Sequence, residues 1–146
     1  MAWKMSAAEL LERYAAGELD FAGVDLHGVD LSKAVLRGIN LDRADLSEVN
    51  FSGADLSGGY DRGEYPGYTS IRYAVLINAN FRKADISHVD FSRSDLSFAN
   101  LSLVDSDRVV FDYACLFCAV LDEGMRIGSF ERADVEGTLL EDAEWV

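Results

Sequence analysis

Apolar residues return at every fifth position from Phe21 to Leu56, through Leu26, Leu31, Leu36, Leu41, Leu46 and Phe51. A second series stands two residues earlier and is mostly small or β-branched: Leu19, Val24, Val29, Ala34, Ile39, Ala44, Val49 and Ala54. Between the two lies Asp or Asn in seven of eight repeats: Asp20, Asp25, Asp30, Asn40, Asp45, Asn50 and Asp55. A period of five fits neither the 3.6 of a helix nor the 2 of a strand, so the chain must turn once per repeat. Self-similarity at a fixed period marks a solenoid, whose neighbouring units bury a core that none of them can bury alone.

The A/V-D/N-L/F-x-x period closely resembles the pentapeptide-repeat family, in a single-domain form like those common in cyanobacteria, over about residues 19 to 145. The resemblance implies an all-β solenoid, a right-handed quadrilateral β-helix with four repeats to each 20-residue coil. It also implies that the central Leu or Phe and the small residue two before it point inward.

Residues 1–18 read as an N-terminal capping helix and residues 19–146 as the β-helix. Ser6 and Glu9 form a capping-box pattern, Met5 and Leu10 a hydrophobic staple, and Gly17 a stop, so a helix is expected over 7–16. Leu10, Leu11 and Tyr14 would cover the open end of the first coil. After Leu56 the period lapses and resumes at Ile71. Residues near 58–70 either replace two wall repeats or loop out from a corner. The excursion is preferred, because it leaves 24 inward positions in six coils of four.

Stacking every fourth inward residue then gives four walls. The first carries Phe21, Leu41, Ile71, Phe91, Phe111 and Phe130; the second Leu26, Leu46, Leu76, Leu96, Leu116 and Val135. The third carries Leu31, Phe51, Phe81, Leu101, Leu121 and Leu140, and the fourth Leu36, Leu56, Ile86, Ser106, Met125 and Trp145. One residue is missing before Met125. At about 4.8 Å per coil such a tower stands roughly 25 to 30 Å tall. Ser106 would place a hydroxyl inward, so Ser106→Leu is expected to raise the melting temperature. No C-terminal helix is expected after the last coil, so either Trp145 itself covers it or that uncapped end meets a partner.

Composition narrows the function. The chain has 146 residues and a net charge of −13, which disfavours direct nucleic-acid binding, since phosphates need a basic surface. The first 20 residues carry acids and no long apolar run, so neither a signal peptide nor a membrane span is expected, and the reading is cytoplasmic. Cys115 and Cys118 form a C-x-x-C, but a zinc site wants four ligands and His27 and His88 lie far off in sequence. No nucleophile motif or phosphate loop appears. The expectation is no enzyme, no metal and no cofactor.

Eleven of the 26 acids stand just before an inward residue, and ten of the 13 bases follow one by one or two positions. This reads mostly as a solvated mixed-charge surface, except for 134–146, with five acids and no base. Apolar residues at outward positions are sharper. Val75, Ile77, Phe98, Cys115, Phe117 and Cys118 fall on the second wall or its corner, while Tyr73, Arg93, Tyr113 and Arg132 would stack along the adjoining corner. They read either as a contact surface or as residues partly covered by neighbouring coils. Tyr60, Tyr65 and Tyr68 on the excursion are further candidate contacts.

The expected function is a non-catalytic scaffold for a protein partner, as a monomer or as a weak dimer through the C-terminal coil. The resemblance supplies an alternative: some pentapeptide-repeat proteins resemble duplex DNA in width and charge and occupy the DNA-binding saddle of a type II topoisomerase such as gyrase.

Overall fold

One coil takes 20 residues. In the computed structural model, which describes residues 3–59, 68–122 and 124–138, parallel bridges join Asp20 to Asn40, Asp25 to Asp45, Asp30 to Asn50 and Val35 to Asp55. The four columns continue downward, for example from Asp45 through Val75 and Asp95 to Cys115. Each repeat is zipped to the next coil by backbone bonds: Leu26 N–H donates to Asp45 C=O at 2.9 Å, Asp45 N–H to Val24 C=O at 2.9 Å, and Gly28 N–H to Ser47 C=O at 2.9 Å. Only one residue per wall pairs, so the ladders are isolated bridges joined by corners rather than long strands.

The repeat explains its own composition. No inward Leu, Ile or Phe from Phe21 to Leu116 is more than 1% exposed, and each such side chain stabilises the fold by about 1.5–3 kcal/mol. Phe91 stacks on Phe111 at 5.4 Å, and Phe111 on Phe130 at 5.5 Å, along the first wall. The Asp or Asn before each inward residue has a structural task. Its side-chain oxygen accepts the N–H two residues on, as Asp25 does from His27 at 3.0 Å, Asn50 from Ser52 at 3.0 Å and Asp95 from Ser97 at 3.0 Å. Asn serves as well as Asp because the bond needs an oxygen and not a charge. Much of the acidity is therefore a by-product of turn chemistry.

Most corners close with a bond such as Val24 N–H to Phe21 C=O at 3.2 Å, and have a left-handed second turn residue. Gly23 takes φ +73° there, while fourteen non-glycine residues among those described take φ from 52° to 61°. The resulting stack at the first corner is Gly23, Arg43, Tyr73, Arg93, Tyr113 and Arg132.

The excursion spans a spacing change. Asn40 bridges Ser70 and Asp55 bridges Asp85, each 30 residues apart, where Asp20 and Asn40 are 20 apart. Ten residues are thus inserted without disturbing the register. Gly58 N–H still donates to Ser87 C=O at 2.8 Å, and Ser70 N–H to Ile39 C=O at 3.1 Å. Thr69, fully buried, accepts Gly38 N–H at 2.9 Å beside the insertion. Asp42 Oδ1 accepts Ser70 Oγ–H at 2.5 Å and Arg72 N–H at 2.9 Å, and Asp42 Oδ2 faces the Arg72 guanidinium at 2.8 Å.

At the N-terminus β1 (Trp3–Lys4) runs parallel to β2 (Val24–Asp25), adding a rung above the second wall. Helix α1 (Ala7–Ala15) follows; Ser6 Oγ accepts Glu9 N–H at 3.2 Å, and Gly17 is left-handed at φ +97°. Met5 and Leu10 are buried, and Tyr14 Oη donates to Arg37 C=O at 2.8 Å. Leu11, in contrast, is 38% exposed where Leu10 is fully buried: it lies one residue, about 100° of helix, from Leu10.

The lower coil carries a compensated deletion. β3 (Val109–Val110) pairs with β4 (Ile127–Ser129) as Val109 to Ile127, 18 apart, and Val110 to Ser129, 19 apart. Two residues are lost before β4 and one is regained in a bulge at Gly128. A Cβ on Gly128 would sit 3.0 Å from Arg108 Cα, so any larger residue presses on the Arg108 backbone. Ser106 corrects the sequence reading: it is half-buried, and its Oγ accepts Arg126 N–H at 3.0 Å. Leu140 and Trp145 lie outside the described residues, and Met125, Phe130 and Val135 are partly buried against the core.

Candidate functional site

The αL conformation turns each second corner residue outward, so a column of corner residues becomes a ridge. At the first corner Arg43 Cζ lies 5.2 Å from the Tyr73 ring centroid, and Arg93 lies 5.8 Å from Tyr73 and 4.5 Å from Tyr113. Arg132 lies 5.9 Å from Tyr113. Each tyrosine is sandwiched between two guanidinium groups. The sequence reading found four members of this stack and missed Arg43, which extends it one coil upward.

The next corner carries Glu48, Asn78, Phe98 and Cys118 in the same conformation. Phe98 meets Phe117 edge to face at 5.6 Å. Between the ridges lies the second wall, with Val75, Asp95 and Cys115 in one bridged column. Phe98 is 52% exposed, Tyr73 49%, and Val75, Tyr113 and Phe117 between 36% and 40%, so neighbouring coils leave these side chains open to solvent. Ile77, Cys115 and Cys118 are half-buried. Val35 and Leu103 are also exposed but stand on other columns.

The two cysteines are free thiols that play different parts. Cys115 is on the wall, its Sγ 3.2 Å from Ser97 Oγ. Cys118 is at the corner, in the space that a Cβ on Gly137 would enter at 2.8 Å from Sγ. Among the described residues no group of three or more His, Cys, Asp and Glu side chains is placed to hold a metal ion. None of the described helices is long and apolar enough to cross a membrane.

Tyr68 is 61% exposed beside a recess of about 590 Å³ also lined by Arg72, His88, Asp90, Arg108 and Val110. Tyr60 and Tyr65 lie outside the described residues, as does most of the acidic 134–146 stretch. Near this recess burial pushes the Asp42 carboxyl up, but hydrogen bonds from Arg72 and Ser70 and the Arg72 charge outweigh it and hold the group below its usual range. Asp55 behaves alike: burial raises it, and Ser57 and Arg37 lower it further.

A 20-residue coil with parallel bridges on four columns defines a β-helical solenoid. The family model "Pentapeptide repeats (8 copies)" matches residues 20–58 and 68–97, and the chain belongs to the pentapeptide-repeat family. Among solved structures it is similar to Rfr23, a pentapeptide repeat protein of the cyanobacterium Cyanothece 51142, with a TM-score of 0.53 and 20% identity over 90% of this chain and 94% of that one. It is also similar to a trypsin-treated variant of QnrB1, a plasmid-mediated fluoroquinolone resistance protein, with a TM-score of 0.50 and 18% identity over 84% of this chain and 72% of that one. These neighbours carry the right-handed β-helix. No curated protein matches the sequence.

Proposed function

We propose that this protein is a non-catalytic scaffold whose second wall, with the ridges on either side and the tyrosine-bearing excursion, binds another protein. One observation carries the reading: Phe98 and Phe117 expose their rings in mutual contact on a wall that also exposes Val75, beside Tyr73 and Tyr113. Aromatic side chains at a rigid exposed surface are strong interface anchors. Rigidity adds to this, because a ladder ordered on folding has little left to lose on binding. In this reading α1 caps a six-coil quadrilateral tower spanning 19–146, and the protein works in the cytoplasm as a monomer or as a weak dimer through its last coil.

Capture from nuclease-treated lysate tests it, comparing wild type with Phe98→Glu/Phe117→Glu. A protein held by wild type and lost with the folded double variant supports the reading; equal retention, or none, contradicts it.

A second reading rests on the carboxylates. Asp55, Asp85 and Asp105 bridge in three successive coils of one wall, about 4.8 Å apart, on a chain of net charge −13. Such a column suits an acidic mimic of DNA that binds a type II topoisomerase. Arg37 neutralises its upper end at 2.5 Å from Asp55, which weighs against it. Inhibition or protection of gyrase supercoiling by the purified protein would favour this reading, and no effect would discard it.

A further inference from the structure

We infer that the ridge formed by Arg43, Tyr73, Arg93, Tyr113 and Arg132 docks a polyproline II segment bearing an acidic side chain at every third residue. The inference rests on the protein-binding role proposed for the second wall and specifies its ligand.

Spacing comes first. Cations and rings alternate along the ridge, so the backbone positions that carry successive arginines are two coils apart, about 9.6 Å at 4.8 Å per coil. A polyproline II helix presents the same face every three residues, at a repeat of about 9.3 Å. Over the two intervals from Arg43 to Arg132 the mismatch accumulates to only about 0.6 Å. An extended strand returns to one face every two residues, about 6.7 Å, and falls out of step at once.

Charge comes second. The ring faces of Tyr73 and Tyr113 are taken up by guanidinium groups on both sides, so the ridge offers its edges. A guanidinium stacked on a ring keeps its N–H edge for a carboxylate. Of the carboxylates beside the ridge, Asp42 is engaged by Ser70 and Arg72, Asp112 by Ser129 Oγ and Glu131 N–H, and Asp95 by Ser97, while Glu131 accepts from Tyr113 Oη at 3.5 Å. The ridge is thus a local run of cationic edges on an acidic chain. Val75 and Cys115, one coil above and one coil below Asp95 on the wall next to it, offer the intervening proline rings two separate apolar contacts. A polyproline II segment is largely ordered before binding, which suits a surface that does not move.

The test uses the full chain and two labelled twelve-residue peptides of identical composition, read by fluorescence polarisation. One repeats Glu-Pro-Pro; the other carries its glutamates in a single block. Ionic strength near 0.15 M limits electrostatics to about 8 Å and screens the overall negative charge. The periodic peptide is expected to bind at least about tenfold tighter than the block peptide, and Arg93→Asn to weaken it about tenfold. Lys83→Asn, at the same φ on the third corner, is the folded control and leaves binding unchanged, since Asn tolerates the left-handed region. Equal binding of both peptides, or undiminished binding by Arg93→Asn, overturns the inference. If the peptides fail while Phe98→Glu/Phe117→Glu still abolishes capture of a lysate protein, only the ligand assignment falls. If that capture fails too, both fall.

Discussion

The Ser94 hydroxyl donates to the Ile71 carbonyl at 2.5 Å and accepts Ala74 N–H at 3.0 Å. The equivalent turns above and below close directly, as Ala44 N–H to Leu41 C=O at 3.1 Å and Ala114 N–H to Phe111 C=O at 3.0 Å. At Ile71 to Ala74 the closure instead runs through a side chain from the coil beneath, and Ser94 is only 2% exposed. This turn follows the ten-residue insertion directly and positions Tyr73. Ser94→Ala is expected to strand two buried backbone groups and cost about 1–3 kcal/mol. Thermal unfolding checks it, and an unchanged midpoint would show that the turn closes without the hydroxyl.

Acid should loosen the same region. The Asp42 carboxyl is held below its usual value of 3.8 in the fold, so its ionised form is favoured by folding. That contribution is complete above the unfolded value and is lost as pH falls through the lowered folded one. Asp42→Asn is therefore expected to be less stable than wild type at neutral pH, with the gap closing below about pH 3.8. Denaturant midpoints at several pH values measure it; a gap that stays constant with pH would mean the Arg72 pair adds nothing.

Two glycines near the compensated deletion separate space from sequence. A Cβ on Gly128 would meet the Arg108 backbone at 3.0–3.1 Å, whereas one on Gly124 would meet nothing within 4 Å. Gly128→Ala is expected to cost about 1–3 kcal/mol by forcing the bulge apart, and Gly124→Ala to stay within about 0.5 kcal/mol of wild type. Equal effects in a melting comparison would contradict the bulge.

Ser106→Leu reverses its sequence-based expectation. Because Ser106 Oγ takes the Arg126 N–H and the site is half-buried, leucine gains little burial and removes a bond worth about 0.5–1.5 kcal/mol. The midpoint should fall, and a rise would restore the inward reading.

What the sequence revealed and what it hid divide along a physical line. Phe21 to Leu56 carry the period in their own spacing, and Ser6 and Glu9 cap α1 within three residues, so these features are local. The Tyr73, Arg93 and Tyr113 stack was legible because the 20-residue coil converts sequence separation into contact. Ser94 and Thr69 were not, since both occupy the small inward position as ordinary polar substitutions and find their partners 12 or more residues away. Asp25, Asp45 and Asp95 looked like surface charge but serve the turns. β1 had no periodic signal at all: Trp3 and Lys4 gain their meaning only from Val24 and Asp25.

The most direct test of the binding wall is site-specific photocrosslinking. A benzoyl-phenylalanine placed at Phe117 is compared with one placed at Lys83, on a different corner, in the same lysate. The account expects one discrete crosslinked partner from position 117 and none from 83. The same products from both positions, or none from 117, would contradict a protein-binding second wall.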